Sequence, residues 1–139
     1  MTDKKLETVL KYKINLEDCK EIEPNHLYHI KTKIKQRVYN GDSTYSYSNH
    51  EYEFIVIAEN GVKKGIILRC GTIDLHWHVL KEWRGKQVLS NALRTGIVNR
   101  LWPENKEITC CYDIGDDYES KYNMTQHLAD IAGLKLVNR

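Results

Sequence analysis

Hydrophobic positions in the first third of the chain follow two different periods. In LKYKINL, Leu10, Tyr12, Ile14 and Leu16 alternate with Lys11, Lys13 and Asn15, the spacing of a strand with one buried face. A first strand is expected there. Asn15 is placed to cap a short helical turn through Glu17, Asp18 and Cys19. Pro24 suits the first turn of a second helix, where its missing N–H costs nothing. Leu27, Ile30, Ile34 and Val38 then recur at helical intervals up to Asn40-Gly41, a stop signal.

Residues 42–50, DSTYSYSNH, carry hydroxyls and rings but few aliphatic side chains and read as a loop or a frayed strand start. EYEFIVIAE is rich in β-branched and aromatic residues, NGVKKG reads as a hairpin connection, and IILRC is the return strand. After Gly71 the alternation resumes, with Ile73, Leu75, Trp77 and Val79 on one face and Asp74, His76 and His78 on the other. Leu89, Ala92, Leu93, Gly96, Ile97 and Leu101 keep helical spacing, and Trp102 before Pro103 ends that helix. EITCCYD reads as a strand, KYNMTQHLADIA as a helix closed by Gly133, and LKLVN as a last strand. The predicted order is strand, two helices, three strands, helix, strand, helix, strand, an α+β chain.

Composition narrows the class. With 139 residues, 41% hydrophobic and 29% charged, the chain suits one domain, 1–139, and is short for two. No segment approaches the run of about 18 apolar residues a spanning helix needs, and MTDKKLETVL lacks the apolar core of a secretory signal. A soluble cytoplasmic protein with no membrane partner is expected. Cys19, Cys70, Cys110 and Cys111 have no disulfide spacing, and adjacent Cys110 and Cys111 would point to opposite faces of a strand; buried, reduced thiols are the expectation. A net charge of +2 gives no large positive field, so no nucleic-acid partner is predicted. Lys31, Lys33, Lys35 and Arg37 would spread around a helix and present no common stripe. His76 and His78 with Cys110 or Cys111 are ligand types for zinc, but no recognised spacing joins them, and no metal is predicted.

HVLKEWRGKQVLSNALRTGIV, residues 78–98, runs from a strand end through Arg84, Gly85 and Lys86 into a helix. A tight strand-to-helix junction presents unpaired backbone N–H groups, and cations beside it favour an anion; a phosphate or pyrophosphate on residues 84–90 is the expectation.

These residues also carry a resemblance. VLKEWRGKQVLSNAL resembles the VxPxYRGxGxGxxLL stretch of the GNAT superfamily of N-acetyltransferases, with Val79 at the strand end and Arg84 and Gly85 opening the loop. NMTQHLADIAGLKL is similar to that family's NxxAxxLYxKxGF helix, with Asn123 at its start and Gly133 and Leu134 at its end. Gln87 and Leu89 stand where the pattern has small residues, and Ala129 where the family often has a tyrosine acid. The resemblance implies a GNAT-like fold, a central, mostly antiparallel mixed sheet of about six strands flanked by about four helices. It implies acetyl-coenzyme A as cofactor, bound by Val79, Arg84, Gly85, Lys86, Gln87, Val88, Leu89, Ser90 and Asn123. The family usually ends in two strands after its last helix, whereas only one is read here before Arg139, so the implied form is compact or completed by a second subunit in a homodimer.

The implied chemistry is direct attack of a neutral amine on the acetyl thioester, which needs a proton acceptor and a donor to the carbonyl oxygen. A histidine is suited to accept a proton near neutrality, and the order of candidates is His76, then His78, then Asp74. Tyr112, Tyr118 and Tyr122 are candidate donors to the departing thiolate. The acceptor amine, whether a small molecule, a protein lysine or an N-terminus, is not selected by the sequence. Tyr45, Tyr47, Asn49 and His50 either line its site or pack on their own strands. The alternative reading is a GNAT-like module without catalysis that binds or assembles, of the kind a viral particle uses.

Overall fold

A computed structural model describes residues 1–109 and 118–137. Cys110, Cys111 and Tyr112, and the side chain of Tyr118, lie outside the described residues.

The chain opens with a helix where a strand was expected. α1 spans Asp3–Thr8, with Thr2 Oγ1 accepting from Lys5 N–H at 3.1 Å as the cap. It runs on through a π-helical turn, Val9–Lys13, closed by Ile14 N–H donating to the Val9 carbonyl at 3.1 Å. Leu6, Val9 and Leu10 are fully buried and Ile14 nearly so, while Tyr12 stays 77% exposed. The deciding pattern is thus Leu6, Val9 and Leu10 at helical spacing, and the downstream alternation is coincidental. A 3-10 turn, Leu16–Asp18, follows where a helical turn was expected, but the Asn15 side chain makes no capping bond to it.

Five antiparallel strands then form one sheet in chain order: β1 (Lys20–Glu23), β2 (Leu27–Tyr39), β3 (Tyr45–Glu59), β4 (Val62–Cys70) and β5 (Asp74–Val79). The second predicted helix is β2. Ile30, Ile34 and Val38 are four apart, a spacing that keeps residues on one side of a helix and of a strand alike. Tyr28, Thr32 and Tyr39 among them favour the strand. β3 joins β4 through the tight turn Asn60–Gly61, shorter than the NGVKKG connection, with Asn60 at φ 52° and Gly61 at φ 79°. Asn25, at φ 57° in the β1–β2 turn, locks to it: the two Asn side chains bond at 2.9 Å, and Asn25 Oδ1 accepts from Asn60 N–H at 2.9 Å.

Both faces of the sheet are covered. Phe54, Val56, Ile66 and Leu68 pack with Leu6, Val9, Leu10 and Ile14 on one face. Ile55, Ile57, Ile67 and Leu75 pack on the other with the helices α2 (Val88–Arg94), α3 (Ile97–Leu101) and α4 (Tyr118–Ala132). Complete burial of one such aliphatic side chain stabilises by about 1.5–3 kcal/mol. Gly96, at φ 75°, breaks the predicted single helix into α2 and α3, and Gly133, also at φ 75°, closes α4 as expected. The remaining strands, β6 (Glu107–Thr109) and β7 (Lys135–Val137), form a separate parallel pair. The architecture is α+β, with a five-stranded antiparallel sheet and a small parallel pair in place of one mixed sheet of about six strands. Cys70 is exposed and Cys19 half-buried, so neither is the buried thiol the sequence suggested; burial pushes the Cys19 thiol up.

Candidate functional site

β5 is the last strand of the five-stranded sheet, and its outer side faces the β6–β7 pair without a shared ladder. The two meet at the start of β5. The Asp74 carboxylate accepts from Thr109 N–H at 3.0 Å, from the Thr109 hydroxyl and from Leu75 N–H at 2.8 Å. Buried Asn105 donates to the carbonyls of Gly71 (3.1 Å) and Asp74 (3.3 Å). Asp74 is therefore a strut between strands.

At the other end of β5 the chain turns sharply. Leu80 N–H closes on the Lys64 carbonyl at 2.9 Å, a 3-10 turn covers Lys81–Trp83, and Arg84 folds back so that its Nε donates to the Val79 carbonyl at 2.9 Å. Gly85 and Gln87 both take left-handed backbone, φ 75° and φ 59°. Gln87 thus holds, with a side chain, a conformation that glycine adopts without steric cost. It stands at the N-cap position of α2 without a side-chain capping bond, and Ser90 Oγ donates back to its carbonyl at 3.2 Å. α2 is only seven residues long, so its dipole adds less to an anion site than the sequence suggested, and fixed cations carry more of that role.

Between this turn, the end of β5, α2 and α4 lies a cleft of ≈ 590 Å³. Its apolar wall is Trp77, Val79, Trp83, Val88, Leu89, Met124 and Leu128. Arg84, Arg94, His78, His127, Gln87 and Ser90 supply its polar groups. Arg94 is oriented by its Nη1 donating to Asn91 Oδ1 at 3.1 Å. Two guanidinium groups beside an apolar channel suit a ligand with an anionic end and a flexible uncharged arm.

Seven of the nine residues expected to hold a coenzyme line this cleft: Val79, Arg84, Gly85, Gln87, Val88, Leu89 and Ser90. Leu89 is only 8% exposed and joins the helical core, so most of its side chain is spent on packing. Lys86 instead lines a smaller hollow with Lys64, and both ammonium groups lie near the Trp83 ring, 5.1 and 4.3 Å from its centroid. Asn123 is exposed on α4 and lies outside the lining, while Met124 and His127 reach it.

The three polar residues of β5 separate. His78 is buried, lines the cleft, and has Nε2 3.2 Å from Glu7 Oε2. His76 Nε2 lies 2.6 Å from Asp3 Oδ1, beneath the N-terminal helix and away from the cleft lining. That hydrogen bond holds the Asp3 carboxyl below its ordinary range, against the opposing effect of burial. Glu7 is likewise held low, first by Lys11 and also by His78. Tyr45, Tyr47, Asn49 and His50 lie on β3 outside the cleft lining.

Sequence reading missed Arg94, Met124 and His127. Arg94 stands four residues after Ser90, on the same side of a helix that already offered a candidate, and that spacing was the available signal. Among the described residues no group of three or more His, Cys, Asp or Glu could hold a metal ion, and no helix is long and apolar enough to cross a membrane. No protein family, curated protein or solved structure matches the chain.

Proposed function

We propose that this chain is a compact GNAT-like N-acyltransferase that moves an acetyl group from acetyl-coenzyme A to an amine. The observation that carries the reading is the gathering of Val79, Arg84, Gly85, Gln87, Val88, Leu89 and Ser90 around one cleft at the end of an edge strand. The donor set fits the group. Arg84 and Arg94 match a pyrophosphate, and Trp77, Val79 and Leu128 match an uncharged pantetheine arm.

Acetyl-coenzyme A supplies the activated acetyl thioester. In the proposal Arg84 and Arg94 hold the anionic end, with Arg84 steadied by the Val79 carbonyl. Trp77, Val88 and Leu89 exclude water beside the reacting carbonyl. With the coenzyme bound, transfer would exchange the C–S bond for a C–N bond, one proton leaving the acceptor nitrogen and one reaching the sulfur. His78 is the proton acceptor of choice, because among the three β5 candidates it alone reaches the cleft lining. With Glu7 accepting from Nε2–H, Nδ1 keeps the lone pair that takes the proton.

A second reading, a module that binds without catalysis, draws support from the engagement of both β5 histidines by carboxylates of the N-terminal helix. Calorimetric titration with acetyl-coenzyme A and with coenzyme A tests both readings. Saturable binding followed by coenzyme A release in the presence of an amine panel supports transfer. Binding with no release favours the module, and no binding at millimolar coenzyme ends the transferase reading and turns the search to protein partners of the module.

A further inference from the structure

The β2–β3 hairpin extends beyond the sheet that anchors it. β1 reaches only Leu27–His29 of β2, and β4 pairs with β3 only from Glu53 onward. The eight pairs from Thr32–Tyr52 to Tyr39–Tyr45 therefore form a two-stranded ribbon, about 23 Å long at the usual rise per residue. Ile34, buried at its base, ties it to the core.

One face of this ribbon is mainly basic and aromatic. Lys33, Lys35, Arg37 and Tyr39 alternate along β2 and face Glu51, Asn49, Tyr47 and Tyr45 across the ladder. The basic residues that would spread around a helix share a single face of a strand. Lys35 Nζ lies 4.4 Å above the Tyr47 ring, Arg37 Cζ lies 3.5 Å above the Tyr45 ring, and the Tyr45 and Tyr39 rings are 5.3 Å apart. Tyr39, Tyr45 and Tyr47 nonetheless remain 57%, 49% and 65% exposed. Glu51 faces Lys33, whereas Lys35 and Arg37 face no carboxylate across the ladder. The near-neutral charge of the whole chain hides this local excess.

We propose that the ribbon is a single-stranded nucleic-acid arm, with bases stacking on Tyr45 and Tyr47 and phosphates paired with Lys35 and Arg37. Bases would stack on the ring faces that Lys35 and Arg37 leave open, and the interleaved cations follow the backbone. A two-stranded ribbon gains little from its own burial, so its aromatic face is available to a partner.

The test uses the full chain and fluorescence anisotropy with labelled single strands of about 12 nucleotides, DNA and RNA of one sequence, beside the DNA duplex. Two unopposed cations predict a log–log salt slope of about −1.4, so a roughly fourfold rise in salt weakens binding about sevenfold. Replacing both Tyr45 and Tyr47 by Ala weakens binding at least about fivefold, and Lys35→Glu with Arg37→Glu abolishes the salt dependence. Photocrosslinking of the wild-type chain to a 5-bromouridine strand keeps the test independent of variant folding, and adducts within residues 45–47 are expected. No binding at about 100 µM protein and low salt overturns the proposal, as does equal affinity without the two rings, tighter binding of the duplex, or adducts confined to other segments.

Discussion

The Arg84 guanidinium reaches back to the strand that precedes it, its Nε 2.9 Å from the Val79 carbonyl oxygen. Strand end and loop are thus one unit, and the same side chain both closes the turn and lines the cleft. Arg84→Glu should weaken coenzyme A binding by about 10- to 100-fold in calorimetry, since it removes a charge-assisted donor and adds a repelling charge. Arg84 is exposed, so losing its bond to the Val79 carbonyl should cost only about 1 kcal/mol and leave the variant folded. Undiminished affinity in a folded variant would remove the loop from the proposed site.

Gln87 carries a left-handed backbone that a glycine adopts without steric cost. Gln87→Gly should stabilise the chain by up to about 1 kcal/mol, read from urea unfolding, and Gln87→Val should destabilise it. If both variants unfold like the parent, the backbone at this position is not left-handed in solution.

Glu53 joins elements from three parts of the chain, accepting from Trp102 Nε1–H at 2.7 Å, bonding His29 Nε2 at 2.6 Å and pairing with Arg69 at 3.3 Å. Burial pushes its carboxyl up, but the bonds from Trp102, His29 and Arg69 outweigh that and hold it below its ordinary 4.5. A carboxyl lowered in the folded state contributes stability above its unfolded value and loses it as pH falls through the folded value. Unfolding free energy should therefore fall below about pH 4.5, and Glu53→Gln should flatten that acid limb while costing about 1–3 kcal/mol at neutral pH. An identical acid limb in the variant would assign the loss to other carboxylates.

His78→Gln should leave coenzyme affinity within about twofold and lower the acetyl-transfer rate at least about 100-fold, the usual worth of a positioned base. His76→Gln should cost less, because His76 lies outside the cleft lining. The reverse ranking would restore His76 as the base and dismiss the assignment made from the cleft.

Asp74→Ala should destabilise by about 2–3 kcal/mol, because the Thr109 amide and hydroxyl lose a charged acceptor. Asp74→Asn, which keeps one acceptor oxygen, should recover part of that loss. A strut role predicts that both variants still bind coenzyme once folded.

The antiparallel meander from residue 51 to 79 was legible because its apolar runs are bounded by Asn60-Gly61 and Gly71, and turn chemistry sets hairpin register. β2 was not, because apolar residues four apart satisfy helix and strand together; the alternation of Lys31, Lys33, Lys35 and Arg37 was the discriminating signal. α1 escaped for the opposite reason, since Tyr12 supplied an apolar beat while pointing to solvent. Of the cleft lining, Arg84, Gly85 and Gln87 to Ser90 fall in one continuous stretch of sequence, whereas Lys86 in the same stretch turns to another hollow. The tie between His76 and Asp3, 73 positions apart, could not, because no local pattern records which carboxylate a distant helix brings to a strand.

Strand order in the sheet repeats strand order in the chain, with every neighbour joined by a hairpin. Loop closure along this path is short at each step, so β1 to β5 can zip together early and quickly. β6 and β7 must instead await α4, since their parallel register brings Glu107 to Lys135. The last contacts to form are then those that wall the cleft with Met124, His127 and Leu128. Protection of α4 amides against hydrogen exchange should lag behind that of β3 and β4 during refolding, which makes completion of the cleft a late event in the life of each newly made chain.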